Sequence, residues 1–378
     1  MLEAVSEYGV GSLGRELSVQ LAHRALKGLE SDPVAAFLWA TPEYNLSEAV
    51  NALRVLLGDV VVWGGTVRQV WNDQGHPAHG MVLAVLGGED VHARGWYFPE
   101  RPSVAEFTET LGEPGEDGHL WAVIEAMQPR LPRWMDLLEK ARWPLSGGLV
   151  GGRLQVGRPI LVGGRATGEG GAALMTVHGV RVGMGKGTGW RSSGLWTTVT
   201  ESRGEWVRAL DDKPAADVLE AVFGQPARQW PYAPLREFIR LYPLGLRREA
   251  GDWDIRAPLH VEADGSLRMT LPVPKDTRAY WMTGDVQAAV QQAESAVAEA
   301  LKALEGAAPA MAIVLIDWAW YYLMTSHEDT LFQHVRRLLG ADVPVVGVYT
   351  YGQFFAPDAD APPQLLHNHV TVTLLAAP

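Results

Sequence analysis

Two stretches near opposite ends of the chain share one pattern, and a chain that repeats it is constrained to pack two similar strand–helix–strand units. Leu-Arg-Val-Leu-Leu-Gly, residues 53–58, is followed by Val-Val-Trp-Gly-Gly-Thr-Val-Arg-Gln-Val, residues 61–70. Val-Arg-Arg-Leu-Leu-Gly, residues 335–340, is followed by Val-Val-Gly-Val-Tyr-Thr-Tyr-Gly-Gln-Phe, residues 345–354. Gly58 and Gly340 stand 282 residues apart, whereas Thr66 and Thr350, like Gln69 and Gln353, stand 284 apart. A two-residue insertion between helix and strand accounts for the shift. An apolar run precedes each helix, at 34–40 and 311–316, and another follows each turn, at 80–86 and 369–375. Continuous apolar runs of this kind suit strands buried on both faces.

The expected fold class is therefore α/β: two related halves with mixed sheets, layered with helices, carrying an internal pseudo-duplication. The intervening sequence fills in coarse elements. Residues 15–29 read as an amphipathic helix. Asn45 and Glu48 form a capping box, and Gly58 closes the helix. The strand at 60–63 is expected to break at Gly64-Gly65. Residues 103–143 read as helical in three segments, one starting at Ser103, one at 120–127 and one at 132–142. From 146 to 200 glycine is dense and short β-prone stretches alternate with turns. A short helix covers 214–223, and a long one covers 285–305 with Val286, Val290, Ala293, Val297 and Leu301 along one face. The Pro- and Trp-rich segment 225–260 reads as a boundary.

Composition narrows the function. A net charge of -12 repels phosphate backbones and anionic lipid, so neither nucleic acid nor a membrane surface is expected as a partner. The absence of cysteine excludes disulfides, thiolate nucleophiles and zinc–thiolate sites. No apolar run reaches the roughly 18 residues of a spanning helix. The first residues carry Glu3 and Glu7 with no basic or apolar leader pattern, so a cytoplasmic location is expected. The 15 tryptophans serve as core anchors or as pocket walls.

Sites are sought where strands end, because ligands of open α/β sheets bind beyond the carboxyl ends of their strands. Thr66, Gln69, Thr350 and Gln353 fall there, as do Thr41 and Asp317. Thr and Gln present neutral donors and acceptors to a small polar molecule. Asp317, among aromatic neighbours, reads either as a desolvated carboxylate facing a cationic ligand or as a cap on the strand end. His367 and His369 share a strand face, but no third ligand at clear spacing joins them, so no metal is expected and structural histidines are the better reading. Gly-rich stretches at 163–171 and 183–189 lack phosphate-loop spacing and read as hairpin and loop glycines. No Gly-x-Ser-x-Gly elbow is present.

The run Pro344-Val-Val-Gly-Val-Tyr-Thr-Tyr-Gly-Gln-Phe354, followed by Leu366-His-Asn-His-Val-Thr371, resembles the C-terminal part of FIST proteins. The turn at 61–70 resembles the N-terminal part. Pro159-Ile-Leu-Val-Gly-Gly164, Gly187-Thr-Gly-Trp190, Val199-Thr200 and Leu210-Asp-Asp-Lys-Pro-Ala215 are similar to further family stretches in the same order. The resemblance covers residues 31–376. It implies a helical extension at 1–30, a FIST N-like domain at 31–225 and a FIST C-like domain at 226–378.

It also implies an intracellular sensory protein that binds a small polar, amino-acid-like ligand in a cleft between the halves. The resemblance leaves no length for an output domain, so a free-standing sensor, or one that acts through a separate signalling protein, is expected, and no cofactor is implied. The family's turn glutamate is Gln69 and Gln353 here, its Ser-Cys pair is Asp317-Trp318, its nearby arginine is Tyr321, and its Gly-Cys is Trp63-Gly64. These departures point to a neutral or aromatic ligand, or else to a degenerate site. The expected pocket comprises Thr66, Gln69, Asp317, Trp318, Tyr349, Thr350, Tyr351, Gln353, His367, Asn368 and, from the Gly-Trp motif, Trp190. Thr and Gln would orient the ligand, the aromatics would cover it, and Asp317 would set charge preference. The rival reading is a hydrolase-type enzyme with Asp317 or His367 as general base.

Overall fold

The computed structural model describes residues 2–72, 75, 79–126, 131–151, 158–226, 229–230, 232, 238–248 and 251–378. The chain begins with β1 (Glu3–Gly9), α1 (Gly14–Gly28), β2 (Pro33–Ala40), α2 (Leu46–Leu57), β3 (Val61–Thr66), β4 (Val70–Asn72) and β5 (Met81–Gly87). A second run follows: β6 (His92–Phe98), α3 (Val104–Leu111), β7 (His119–Glu125), α4 (Leu131–Ala141), β8 (Leu145–Val150), β9 (Ile160–Gly164), β10 (Ala166–Glu169) and β11 (Ala172–His178).

A third run opens with β12 (Arg181–Thr188) and is at once interrupted. The interruption comprises β13 (Trp190–Arg203), β14 (Trp206–Leu210), β15 (Lys213–Pro214), α5 (Ala215–Phe223), a 3-10 turn (Ile239–Leu241), β16 (Leu244–Arg247), β17 (Trp253–Arg256), β18 (Pro258–Val261), β19 (Leu267–Met269) and β20 (Arg278–Gly284). The run then resumes with α6 (Val286–Ala303), β21 (Pro309–Asp317), α7 (Trp318–Leu323), α8 (Glu328–Leu339), β22 (Val345–Thr350), β23 (Gln353–Ala356), β24 (Gln364–Leu366) and β25 (His369–Ala376).

The two end units have the strand order expected of a repeat: β1-β5-β2-β3 in one sheet and β12-β25-β21-β22 in another, each with its two last-named strands parallel. A middle unit has the same order, β6-β11-β7-β8, again with a parallel β7–β8 pair. The middle unit is the part least visible in sequence, because its central strand β7 occupies the apolar run expected to be a helix. All seven residues of β7 are buried, and its apolar stretch, 120–124, is too short to carry a period that separates strand from helix. Residues 1–30 likewise hold more than a helix: β1 precedes it and pairs antiparallel with β5, so this segment is part of the first sheet.

The units interlock by exchanging strands. β4, which follows the turn of unit one, pairs with β22 of unit three. β23, which follows the turn of unit three, pairs with β8 of unit two, and β9, which follows unit two's central pair, pairs with β3 of unit one. The inner faces of the three sheets meet in one core that includes Phe37, Trp63, Trp121, Met175, Ile313 and Val346. Phe37, Trp63 and Trp121 touch edge-on or tilted at centroid distances of 5.3–5.7 Å, arrangements that add about 0.5–1.5 kcal/mol per pair beyond burial. The helix pairs α1/α2, α3/α4 and α6/α8 cover the outer faces. The interrupting segment folds an antiparallel sheet around its own core with α5.

Two glycine positions explain otherwise ambiguous sequence. β3 runs on through Gly64 and Gly65 to Thr66 instead of breaking, because a Cβ at Gly64 would strike the Leu38 carbonyl of the neighbouring strand. Gly183, Gly185 and Gly187 lie in β12, not in a loop. A Cβ at each would strike the backbone of α6, at Ala300, Ala296 and Gln292, so every second residue is bare where the helix lies on the strand.

Candidate functional site

The same strand-end place recurs in each unit. The parallel pairs are in register through Ala40 opposite Thr66, Glu125 opposite Val150 and Asp317 opposite Thr350. Unit two holds Glu125 in a forked pair with Arg158, 2.9 Å from Nε to Oε1 and 2.5 Å from Nη2 to Oε2, and the Arg158 side chain is 54% exposed. Unit three holds Asp317, and there the pair is sealed.

Asp317 closes β21 and caps α7, its Oδ1 accepting from Ala319 N at 2.9 Å. Arg240 Nη2 lies 3.2 Å from both carboxylate oxygens, and the two side chains are 6% and 0% exposed. Arg240 comes from the 3-10 turn of the interrupting segment, which the sequence presents only as a Pro- and Trp-rich boundary. No periodicity marks it, so sequence reasoning misses it. Its guanidinium stands beside Asp317, so the carboxylate already has a cation and does not wait for a charged ligand.

Several expected residues gather around this pair. Arg240 Nη2 also donates to the Tyr351 carbonyl at 3.0 Å, and the guanidinium lies 5.4 Å from the Tyr351 ring centroid. His367 Nδ1 meets the same carbonyl at 3.3 Å. A carbonyl only accepts, so Nδ1 carries the proton and Nε2 is a bare acceptor. Burial, with Arg240 and Arg256 close by, holds the His367 pKa well below the usual histidine value, so the ring is neutral. Asn368 Nδ2 donates to the Arg240 carbonyl at 2.9 Å. Trp190 Nε1 donates to the Leu241 carbonyl at 3.0 Å and so holds the arginine-bearing turn from outside.

Four buried polar atoms in this cluster lack a hydrogen-bond partner among the described residues: Arg240 Nε and Nη1, Asn368 Oδ1 and His367 Nε2. Buried polar atoms are normally satisfied, so four orphans on three neighbouring residues set this cluster apart. Tyr349 Oη, also buried and without a hydrogen-bond partner among the described residues, has its pKa pushed up by burial.

Thr350 and Gln353 are bound up in local structure. Both polar ends of Gln353 are satisfied when Oε1 accepts from Asp317 N at 2.9 Å and from Thr350 Oγ1 at 2.7 Å, and Nε2 donates to the Leu366 carbonyl at 3.3 Å. A glutamate could accept the first two but would oppose the Leu366 carbonyl, which gives a physical reason for Gln here.

The turn of unit one reaches the cluster only in part. The Gln69 carbonyl accepts from Tyr349 N at 3.2 Å. Arg68 lies 4.0 Å over the Trp318 ring, and its Nη1 is 3.4 Å from Tyr351 Oη. Trp318 stacks on Tyr321 at 4.3 Å and meets Tyr349 edge-on at 5.7 Å. Thr66 stands apart, its Oγ1 accepting from Ile160 N at 3.3 Å in the first sheet.

A groove of about 980 Å³ opens at the opposite strand ends, between units one and two, with Pro33, Val61, His92, Glu113, Asp117 and His178 in its walls. None of the expected pocket residues lines it. Among the described residues no cluster of His, Asp and Glu is arranged to hold a metal ion, and no helix is long and apolar enough to cross a membrane.

No curated protein matches the chain. Among solved structures it is similar to PurLQS from Thermotoga maritima, at 10% identity and a TM-score of 0.27 over 100% of this chain and 72% of that one. It is also similar to phosphoribosylformylglycinamidine synthase II from the same organism, at 10% identity and a TM-score of 0.26 over 99% and 72%. Likenesses this distant say nothing about chemistry. The FIST N domain family model matches residues 34–213 and the FIST C domain model matches 215–356. The second match begins before the interrupting segment ends, so both parts contribute strands to it. FIST domains are generally described as sensory domains that bind small ligands. With both parts present in order over most of its length, the chain belongs to the FIST family.

Proposed function

We propose that this protein is a cytoplasmic sensor of a small amino-acid-like ligand, bound in a cleft beside Asp317 where the interrupting segment meets unit three. The observation that carries the reading is the set of orphaned polar atoms on Arg240, His367 and Asn368. Arg240 Nε and Nη1 offer donors to a carboxylate, and charge-assisted pairs of this kind are the strong ones. Asn368 Oδ1 and the bare His367 Nε2 offer acceptors to an ammonium group. A zwitterion matches both halves of that set, and Tyr351 flanks it. Because Arg240 belongs to the interrupting segment and Asp317, Tyr351, His367 and Asn368 belong to unit three, occupancy would bias how these two parts sit, and a separate signalling protein would read the change.

A panel of the common amino acids, scored by thermal shift, tests this. At least one is expected to raise the melting temperature in a concentration-dependent way, since a ligand that binds only the folded state stabilises it by mass action. It is also expected to be recovered unchanged after long incubation. The neutral imidazole of His367 is the one feature that favours a hydrolase instead, and consumption of the ligand, lost in His367→Gln, would establish that reading. Asp317 is poorly suited as a base, because Arg240 faces both of its oxygens.

A further inference from the structure

Resting on that ligand reading and narrowing it, we infer that the ligand carries a second acidic group, read by Arg256, so that the site prefers acidic amino acids to their amides. Arg256 ends β17 and stands in register opposite Leu244 of β16, the strand that follows the Arg240 turn. That turn packs against β18, which begins two residues after Arg256. The two arginines therefore flank one short turn, Arg240 within it and Arg256 on the strand beside it.

Arg256 is not fully satisfied where it stands. Its Nη1 is bonded to Asp254, a carboxylate that also faces Arg248 Nη2 at 3.7 Å. Its Nε is buried with no hydrogen-bond partner among the described residues. A desolvated guanidinium N–H is costly to leave unmade, and a second ligand carboxylate is the acceptor whose charge and planar geometry suit it. Burial lowers the Arg256 pKa, against the opposing pull of Asp254.

The ground beyond His367 has the same character. β25 sets His369 opposite Thr188 and Thr371 opposite Lys186 of β12. Lys186 Nζ meets the neutral carbonyl oxygen of Gln364 at 2.7 Å and the Phe355 ring at 5.0 Å, while nearby Glu299 accepts from the Lys186 backbone N–H at 3.1 Å. The ammonium's direct neighbours are thus an amide and a ring, with the Asp252 and Glu299 carboxylates farther off. A ligand whose first carboxylate lies on Arg240 would extend its second toward Arg256, with Lys186 behind.

Calorimetric titration of the full chain with L-glutamate, L-aspartate, L-glutamine and L-asparagine tests this. At least one acid is expected to bind about tenfold or more tightly than its own amide, a difference of about 1.4 kcal/mol. Arg256→Gln should bring acid and amide to near parity, and Arg256→Lys should keep part of the preference. Equal binding of acid and amide by the native protein, or a preference that survives in Arg256→Gln, overturns the inference and leaves the amino-acid reading standing. If Arg256→Gln does not fold, the native acid-to-amide ratio decides alone. Failure of these four and of every other amino acid to bind overturns both.

Discussion

Replacing Arg240 with Ala is expected to lower stability by about 3–5 kcal/mol, the range seen when one partner of a buried ion pair is removed. Asp317 has no exposed surface, and its nearest cation is Arg240. Without it the carboxylate keeps the Ala319 backbone N–H as its cap donor but remains a buried charge with no counter-ion. Asp317→Asn should cost less, because an amide oxygen can still cap α7 and the guanidinium retains the Tyr351 carbonyl. The double variant Arg240→Met with Asp317→Asn should recover part of the Arg240→Ala loss, because neither charge is then stranded. Urea midpoints followed by tryptophan fluorescence check all three. A loss below about 1 kcal/mol for Arg240→Ala would fit only an exposed pair and would contradict the burial on which the site rests.

Acid should unfold the protein well before its carboxylates are protonated. Among the described residues three histidines are buried and neutral. Burial takes the His119 pKa to about 3 and that of His369 to about 4, and holds His367 well below its ordinary 6.5. The unfolded chain binds these protons near pH 6.5 and the folded chain does not, so the unfolded state holds more protons once the pH drops below that value. Stability is therefore complete above about pH 6.5 and falls from there toward pH 4, by roughly 1.4 kcal/mol per unit for each histidine. His119 dominates the lower end, since neither ring nitrogen has a partner among the described residues and its ring rests edge-on against Trp121 at 5.0 Å. Melting temperatures at pH 7.5 and 5.0 should differ by many degrees, and His119→Phe should flatten the dependence. A melting temperature unchanged across that range would contradict the neutral burial of these rings.

How far the sequence could be read depended on the range of the information. Local signals were legible. Asn45 caps α2 and accepts from Glu48 N, Asp285 caps α6, and Gly224 takes the left-handed conformation after α5. The end units were legible because each central strand is a long apolar run beside an amphipathic helix. The middle unit was not, since the apolar stretch of β7, 120–124, is too short to show a period, and β12 hid behind glycines that serve a helix lying on it. The exchange of β4, β9 and β23 between units is a matter of long-range pairing that no local pattern encodes.

The site shows the same division. Asp317, Tyr351, His367 and Asn368 do gather around Arg240, the first two and Asn368 through direct hydrogen bonds to it and His367 through the shared Tyr351 carbonyl, and all four lie in a single motif-bearing unit. Arg240, the residue that ties them together, lies 77 positions before Asp317 in a segment without period or motif. Thr66, chosen by analogy with Thr350, belongs to another sheet. The paired change from Glu to Gln has a local cause at Gln353, whose amide needs both a donor and an acceptor end.

The most direct test of the account is a crystal structure of the protein grown with the amino acid that gives the largest thermal shift. The account predicts ligand density within hydrogen-bonding distance of Arg240 Nε or Nη1, with the ligand's amino group on Asn368 Oδ1 and His367 Nε2. Density for the amino acid in the groove between units one and two, with only water at Arg240, would contradict it.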